Sequence, residues 1–138
     1  MVSNVDIKDL EEFNKLGLLV NDQFDKLFSL NELLNSDFDY VFGYYDDRLI
    51  AFIHVNKLYE TMDIVNIVVD SEYRRRGIAS ELIRFSIDYF SDLQSVMLEV
   101  NEHNENAIRL YEKNGFEVIS KREKYYGDDA ALIMKRDV

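Results

Sequence analysis

The sequence predicts a fold of the α/β (α+β) class, in which helices cover one sheet, as a single domain over residues 1–138. Stretches with apolar residues at helical spacing are mixed along the chain with β-branched runs that indicate strands. The length suits one hydrophobic core, and an apolar content of 47% can fill it. No proline or low-complexity linker divides the chain.

The first half of the chain predicts two helices followed by three strands. Ser29 is a candidate cap for a new turn inside the second helix, and Asp46-Asp47-Arg48 is typical of a hairpin between two strands. The strand that follows this hairpin is rich in β-branched residues, which indicates burial. The predicted helices are Asp6–Leu19 and Phe24–Leu34, and the predicted strands are Tyr40–Tyr45, Leu49–Val55 and Ile64–Asp70.

The second half predicts two further helices and three strands. One helix presents an apolar face that runs from Ile78 to Phe90. The other begins after Asn104, a good N-cap residue, and ends before Asn114-Gly115, which tolerates the left-handed conformation. This second helix is predicted over Glu105–Lys113, and the strands over Ser95–Val100, Phe116–Ser120 and Ala130–Lys135.

The composition excludes several classes of chemistry. The chain has no cysteine, which rules out disulfides, thiolate metal sites and a cysteine nucleophile. Only His54 and His103 are present, so we predict no metal centre. There is no apolar run of membrane-spanning length and no signal-peptide pattern. We therefore expect a cytoplasmic protein that does not bind membranes.

The net charge of −11 is unevenly distributed. Residues 1–70 carry 14 acidic and 5 basic side chains, a net of −9, whereas residues 71–138 carry a net of −2. An acidic chain is a poor nucleic-acid binder because attraction to phosphate supplies most non-specific affinity. The acidic half is either an ordinary solvated surface or the side that a cationic partner approaches.

The turn from Arg74 to Ala79, R-R-R-G-I-A, connects a predicted strand to a predicted helix. The first N–H groups of a helix lack intrahelical partners, and the helix dipole adds positive charge there. Gly77 would let an anion approach the main chain, so this turn is a candidate polyphosphate site. The alternative is a solvated basic turn, and neither the Walker A nor the G-x-G-x-x-G spacing is present.

Two side chains in the second half are candidates for acid–base chemistry. Glu99 lies among apolar residues of a strand and could be a plain surface acid or, in a cleft, a general base. Tyr111 lies on the following helix and could pack in the core or donate a proton from its hydroxyl. Taken singly, Glu99 fits a surface acid better than a general base, and Tyr111 fits a core residue better than a proton donor.

The segment from Leu98 to Phe116 resembles a motif of the GNAT N-acetyltransferases of the RimI type. It reads L-E-V-N-E-H-N-E-N-A-I-R-L-Y-E-K-N-G-F, against L-E-V-R-x-x-N-x-x-A-x-x-L-Y-x-x-x-G-F in those enzymes. Arg74, Gly77 and Ala79 also match the [QR]-x-x-G-x-[GA] pyrophosphate loop of that family, and the chain ends with a similar R-x-x-Y-Y … D-A-x-x-M pattern. The resemblance covers about half of the chain, from Asn66 to Met134.

The resemblance implies a GNAT fold and an acetyltransferase that uses acetyl-CoA. The sheet would be mixed, mostly antiparallel, and splayed beside its fourth strand. Glu99 would be the general base, directly or through water, and Tyr111 would protonate the departing thiolate. Tyr125 and Tyr126 would contact the acceptor. Coenzyme contacts are implied for Ile67, Val68, Val69, Arg74, Arg75, Arg76, Gly77, Ile78, Ala79, Ser80, Asn104 and Tyr111.

The acceptor implied by the resemblance is the N-terminal amine of a protein, possibly a ribosomal protein. Asn101 stands where the motif has arginine, Ser71 replaces a common proline, and the N-terminal half lacks a P-W segment. These departures concern the acceptor more than the coenzyme. Two alternatives remain, an acetyltransferase for a small amine or amino acid and a CoA-binding module without turnover.

Overall fold

Seven strands form one mixed sheet in the order β1-β2-β3-β4-β5-β7-β6 in the computed structural model, which describes residues Met1–Val138. All neighbouring strands are antiparallel except β4 and β5, which are parallel. The strands are β1 (Val2–Asn4), β2 (Asp39–Asp46), β3 (Arg48–Leu58), β4 (Thr61–Val69), β5 (Ser95–Asn101), β6 (Glu117–Tyr126) and β7 (Asp129–Asp137).

Five α-helices cover the two faces of this sheet, which confirms the predicted mixed α/β class. The helices are α1 (Leu10–Leu18), α2 (Phe24–Leu27), α3 (Leu30–Leu34), α4 (Ile78–Tyr89) and α5 (Glu105–Lys113). Short 3₁₀ turns precede α1 at Ile7–Asp9 and α4 at Ser71–Tyr73. None of the helices is both long and apolar enough to span a membrane.

The prediction of one continuous helix over Phe24–Leu34 is wrong, because two separate helices, α2 and α3, form there. Phe28 adopts an extended conformation with φ −128° and ψ 124°, which ends α2. Ser29 is also extended, and its side chain accepts a hydrogen bond from the N–H of Glu32 at 3.3 Å, which starts α3. The predicted cap therefore interrupts the helix. Strand β1 was not predicted, because three residues are too few to show a period.

Two hydrophobic clusters hold the helices to opposite sides of the sheet. The first packs α4 and α5 against the sheet, with Leu82 and Ile83 fully buried. The second packs α1, α2 and α3 against the other face around Phe13, Phe24 and Phe52, whose ring centroids lie 4.6–5.9 Å apart. Both faces of the sheet are thus covered by helices.

The parallel contact between β4 and β5 is short, and the two strands then separate. Pairing covers only Thr61–Ile64 against Ser95–Leu98. A β-bulge follows at once on β4, because His54 pairs with Asn66 and Val55 with Ile64, which leaves Val65 without a partner on β3. Bulges bend a strand and increase its local twist. The splay that the resemblance implied is therefore confirmed, and it begins at this bulge.

Candidate active site

The gap between β4 and β5 exposes one edge of each strand. Beyond Ile64 the backbone groups of β4 that face β5 have no ladder partner, since β5 has turned away. Free N–H and C=O groups on a strand edge can pair with an extended ligand. Ile67, Val68 and Val69 lie on this edge, and the side chain of Val68 is buried in the cluster under α1.

A fixed turn carries the chain from β4 into α4. Asp70 accepts a hydrogen bond from the N–H of Glu72 at 3.0 Å and pairs with Arg48 at 3.1 Å, and these two contacts lower the pKa of the Asp70 carboxyl. Arg75 has φ 64° and Gly77 has φ 77°, both in the left-handed region. A non-glycine residue held there is uncommon and costs free energy, and such residues cluster at functional sites.

The turn and the start of α4 border a cleft of about 260 Å³. Gly77 is the N-cap residue of α4 and has no side chain to accept from the first N–H groups of the helix. Together with the arginines, these N–H groups make the cleft suitable for a polyphosphate. Seven of the predicted coenzyme residues line it: Val69, Arg74, Arg75, Gly77, Ile78, Ala79 and Ser80.

Two of the three arginines are held by the turn itself. The guanidinium of Arg76 donates to the carbonyl of Glu72 at 3.3 Å and lies over the ring of Tyr73, 5.0 Å from its centroid. Arg76 therefore does not line the cleft, although it was predicted with its neighbours. Arg74 does, but its Nε donates to the carbonyl of Val69 at 3.3 Å.

Helix α5 supplies the other wall of this cleft through residues that were not predicted. Leu110 and Lys113 line it, and Lys113 adds a positive charge. Asn114, the C-cap residue of α5, donates to the hydroxyl of Ser80 at 3.0 Å and to the carbonyl of Leu110 at 2.8 Å. This amide fixes the end of α5 against the start of α4. The sequence signalled Asn114 only as a helix terminator.

A second cleft, of about 490 Å³, lies where β4 and β5 begin to part. Glu99 lines it from β5, and its Oε1 lies 3.4 Å from Nη1 of Arg122 on β6. Glu99 therefore faces a cleft, with its side chain 36% exposed. The lining residues are Asp63, Ile64, Val65, Met97, Leu98, Glu99, Arg122, Tyr126 and Ile133.

Tyr111 is buried in the core, with 7% of its surface exposed, and packs against Phe116. Burial, with a smaller effect of Tyr126, raises the pKa of Tyr111 to about 12. Its hydroxyl makes no hydrogen bond within the protein, yet no fully enclosed side-chain oxygen or nitrogen lacks a partner. The hydroxyl therefore reaches accessible space while the ring fills the core. Both roles considered for Tyr111 are compatible with this placement.

The remaining predicted residues differ in their positions. Tyr126 lines the cleft of Glu99, and its pKa is raised by burial and by Glu99. Tyr125 packs edge-on against Tyr126 and under Arg122, outside the lining. Asn104 caps α5 by accepting from the N–H of Ala107 at 3.2 Å, and it lines neither cleft.

A buried polar network that was not predicted supports the bulge of β4. His54 on β3 is 2% exposed, and its Nε2 lies 2.7 Å from Oδ1 of Asp39. Asn66, next to the bulge, donates to Nδ1 of His54 at 3.2 Å, which leaves Nε2 as the donor to Asp39. Burial lowers the pKa of His54, although Asp39 opposes this effect.

One group of side chains has the composition of a metal site. Glu102, His103 and Asp129 each bring a ligand atom within 4.8 Å of the others. Both oxygens of Glu102 are already held, one by the N–H of Ala130 at 2.7 Å and the other by Lys121 at 3.3 Å. His103 is largely exposed. The group therefore braces the start of β7 against the end of β5.

Comparisons with known proteins agree with this architecture. The family model described as Acetyltransferase (GNAT) family matches residues 7–116. The ribosomal protein bS18-alanine N-acetyltransferase of Salmonella typhimurium is 35% identical over 95 residues, which are 64% of each chain. An N-alpha-acetyltransferase of Saccharolobus solfataricus is 39% identical over 79 residues, 52% of this chain and 46% of that one. An uncharacterised protein of Mycobacterium leprae is 36% identical over 111 residues, 75% of this chain and 31% of that one.

The chain thus spans between about a third and two thirds of the curated relatives that it matches. Solved structures share the fold over nearly the whole chain. The ribosomal-protein-S18-alanine N-acetyltransferase from Escherichia coli superposes with a TM-score of 0.85 at 23% identity, over 100% of this chain and 93% of that one. Arabidopsis thaliana NAA60 in complex with a bisubstrate analogue gives 0.80 at 20% identity, over 99% and 97%. By its sequence match over most of its length, this chain belongs to the Acetyltransferase (GNAT) family.

Proposed function

We propose that this chain is an N-acetyltransferase that moves an acetyl group from acetyl-CoA to the N-terminal α-amine of a protein. The observation that carries the proposal is the position of two clefts along one strand. Val65 borders the cleft that Glu99 lines, called here the acidic cleft. Val69 borders the cleft at the start of α4, called here the anion-binding cleft. The four residue-to-residue steps from Val65 to Val69 span about 13 Å of strand edge that faces the gap. An extended thioester could therefore lie between a phosphate site and a carboxylate.

The residues present fit the coenzyme. Arg74, Arg75 and Lys113 and the N–H groups at the start of α4 suit its pyrophosphate. A Cβ built on Gly77 would meet no atom within 4 Å, so open space lies directly beside the main chain at the turn. The free edge of β4 suits the amide-bearing arm. Bound acetyl-CoA would supply a thioester that an amine can attack without a covalent enzyme intermediate, in keeping with the absence of cysteine.

Glu99 would accept the first proton, directly or through water. The ammonium of a protein N-terminus has a pKa of about 7.7–8.0, so a nearby carboxylate needs to give only modest help to free the lone pair. The C–N bond then forms while the C–S bond breaks. A strand N–H in the gap could donate to the thioester oxygen and stabilise its developing charge. The nitrogen loses its second proton as the amide forms.

Tyr111 would assist the departure of the sulfur. With a pKa of about 12 it keeps its proton at neutral pH and can donate a hydrogen bond. A thiol has a pKa of about 8.5, so full transfer to a free thiolate is uphill. The hydroxyl is therefore most effective while charge is building on sulfur. The Tyr111 hydroxyl can regain a proton from the nitrogen. The products of the whole reaction are one amide, one thiol and one released proton.

The open form of the acidic cleft supports a peptide acceptor over a small amine. Tyr125 and Tyr126 are 46% and 42% exposed beside it, as in an open groove. A small acceptor would be expected to need a closed pocket. Relatives named as acetyltransferases of ribosomal protein alanine and of N-α-amines support the same choice, and a ribosomal protein is the candidate acceptor. A cytoplasmic location, without binding to nucleic acid or membranes, stays a prediction.

The test is a thiol-release assay on a panel of N-terminal peptides and small amines, with acetyl-CoA at saturation. The proposal predicts release that depends on a peptide with a free α-amine. Release only with small amines would favour a metabolite acetyltransferase. Coenzyme binding without release for any amine would leave a CoA-binding module.

A further inference from the structure

Asp63 is a carboxylate of the acidic cleft that the motifs did not predict. It lies on β4 directly opposite Met97 of β5, two residues before the bulge. Since side chains alternate along a strand, Met97 and Glu99 point to the same face, and Asp63 shares that face with them. Asp63 and Glu99 thus line one cleft from its two strands.

The two carboxylates differ in their partners, because Glu99 has a cationic side chain beside it and Asp63 does not. Glu99 pairs with Arg122 at 3.4 Å. The side chain of Asp63 makes no hydrogen bond and no ion pair, and Glu99 is the one charged group that acts on it, by repulsion. Two carboxylates and one guanidinium leave this cleft with one uncompensated negative charge, and that charge sits on Asp63. A cation placed there would relieve the repulsion and gain a partner.

The pKa of Asp63 responds to the same surroundings. Burial, followed by the charge of Glu99, raises it above its ordinary value. The rise indicates a carboxylate that is partly desolvated and lacks a cation. An ammonium bound beside Asp63 would offset the repulsion by Glu99 and lower the pKa of Asp63.

Several other acids of residues 1–70 are engaged elsewhere. Asp39 is held by His54, Asp70 by Arg48, and Asp9 accepts from the hydroxyl of Tyr45 at 2.7 Å. The acidic first half therefore reaches the cleft through one residue, Asp63. This is the member of that half that could attract a cationic acceptor at short range.

We propose that Asp63 is the docking anion for the ammonium of the acceptor, and that it selects acceptors that are cationic at their reacting end. The inference rests on the proposed function. It assigns Asp63 to acceptor binding and Glu99 to proton transfer. An acceptor with a carboxylate beside its terminal amine should bind poorly, because Asp63 would repel it.

The experiment measures kcat and KM for a peptide with a free α-amine, using wild type, Asp63→Asn and Asp63→Glu. Asp88→Asn is the matched control, because it removes one negative charge from an exposed position of α4 outside both clefts. We expect Asp63→Asn to raise KM about 5- to 10-fold at low salt with kcat within about twofold. The rise should shrink at high salt. Asp63→Glu should restore part of the affinity, and Asp88→Asn should behave as wild type.

An unchanged KM in Asp63→Asn would overturn the proposal. So would a fall in kcat at constant KM, which would make Asp63 a base and not a docking group. Calorimetry of the same peptide with the CoA-loaded protein separates this inference from the proposed function. If wild type shows no turnover, the proposed function fails, whereas equal peptide affinity of wild type and Asp63→Asn refutes the docking role. Thermal melting checks that each variant is folded.

Discussion

Nη1 of Arg122 on β6 lies 3.4 Å from Oε1 of Glu99 on β5, across the intervening strand β7. The carboxylate proposed as general base is thus oriented by a cation before any acceptor arrives. Arg122 also lies over the ring of Tyr125, 4.9 Å from its centroid, which limits its own movement. One guanidinium therefore connects the proposed base to the tyrosine pair at the mouth of the cleft.

Glu99→Gln should abolish most turnover while the protein stays folded. The amide keeps the size of the side chain but cannot accept the proton of the ammonium. Proton transfer by a positioned group is worth about 10²–10⁴-fold, so kcat should fall by that order. Glu117→Gln, an exposed position on β6, is the control and should leave kcat unchanged. Equal kcat in wild type and Glu99→Gln would remove Glu99 from the mechanism.

Tyr111→Phe should lower turnover without unfolding the protein. Phenylalanine retains the contact with Phe116, and the hydroxyl that is lost has no partner within the protein. We expect kcat to fall by about 10²–10⁴-fold and the affinity for acetyl-CoA to change little. Because the pKa of Tyr111 is about 12, the wild type should lose no activity from its ionisation below pH of about 11. A fully active Tyr111→Phe protein would leave Tyr111 as a core residue.

Gly77→Ala and Gly127→Ala form a matched pair. Both glycines have positive φ, 77° and 68°, and a Cβ at either would meet no atom within 4 Å. Each substitution should therefore cost about 1–2 kcal/mol of stability through backbone strain alone. Only Gly77→Ala places a methyl group against the anion site, so it alone should weaken acetyl-CoA binding, by about tenfold. Equal coenzyme affinity of the two variants in calorimetry would place the pyrophosphate elsewhere.

His54 should make the protein less stable in mild acid. Burial holds its pKa below the ordinary value of 6.5, so the unfolded chain binds a proton that the folded protein does not. The free energy of unfolding should then decrease as pH falls from about 6.5 through the lower folded pKa. His54→Gln retains a donor and an acceptor but does not titrate. Denaturant unfolding between pH 7 and pH 5 should show a flatter profile for this variant, and parallel profiles would contradict the assignment.

The elements that were predicted well are those whose signals are local. Periodicity and caps gave α5 with its Asn104 cap and the hairpin at Asp46-Asp47-Arg48. They also placed the strand–turn–helix around Gly77. The continuous helix over Phe24–Leu34 failed because the apolar spacing continues through Phe28, while the backbone breaks there to let Ser29 cap the next helix.

What could not be predicted depends on register and packing between distant segments. Asp63 lies just before the predicted strand Ile64–Asp70, and only its pairing with Met97 and the bulge at Val65 place it in the cleft. Arg76 matches its two neighbours in sequence, yet its contact with Tyr73 turns it away. A Cβ at Gly17 of α1 would overlap the ring of Phe24, a contact that no local sequence pattern shows.

The most direct test of the account is mass spectrometry of one lysine-containing peptide in two forms, with its α-amine free or formylated. Each is incubated with acetyl-CoA and either wild type or the Glu99→Gln/Tyr111→Phe double variant. The account predicts one added acetyl group on the free α-amine with wild type, none on the formylated peptide, and almost none with the double variant. No acetylation of either form, equal acetylation of lysine in both, or full activity of the double variant would contradict it.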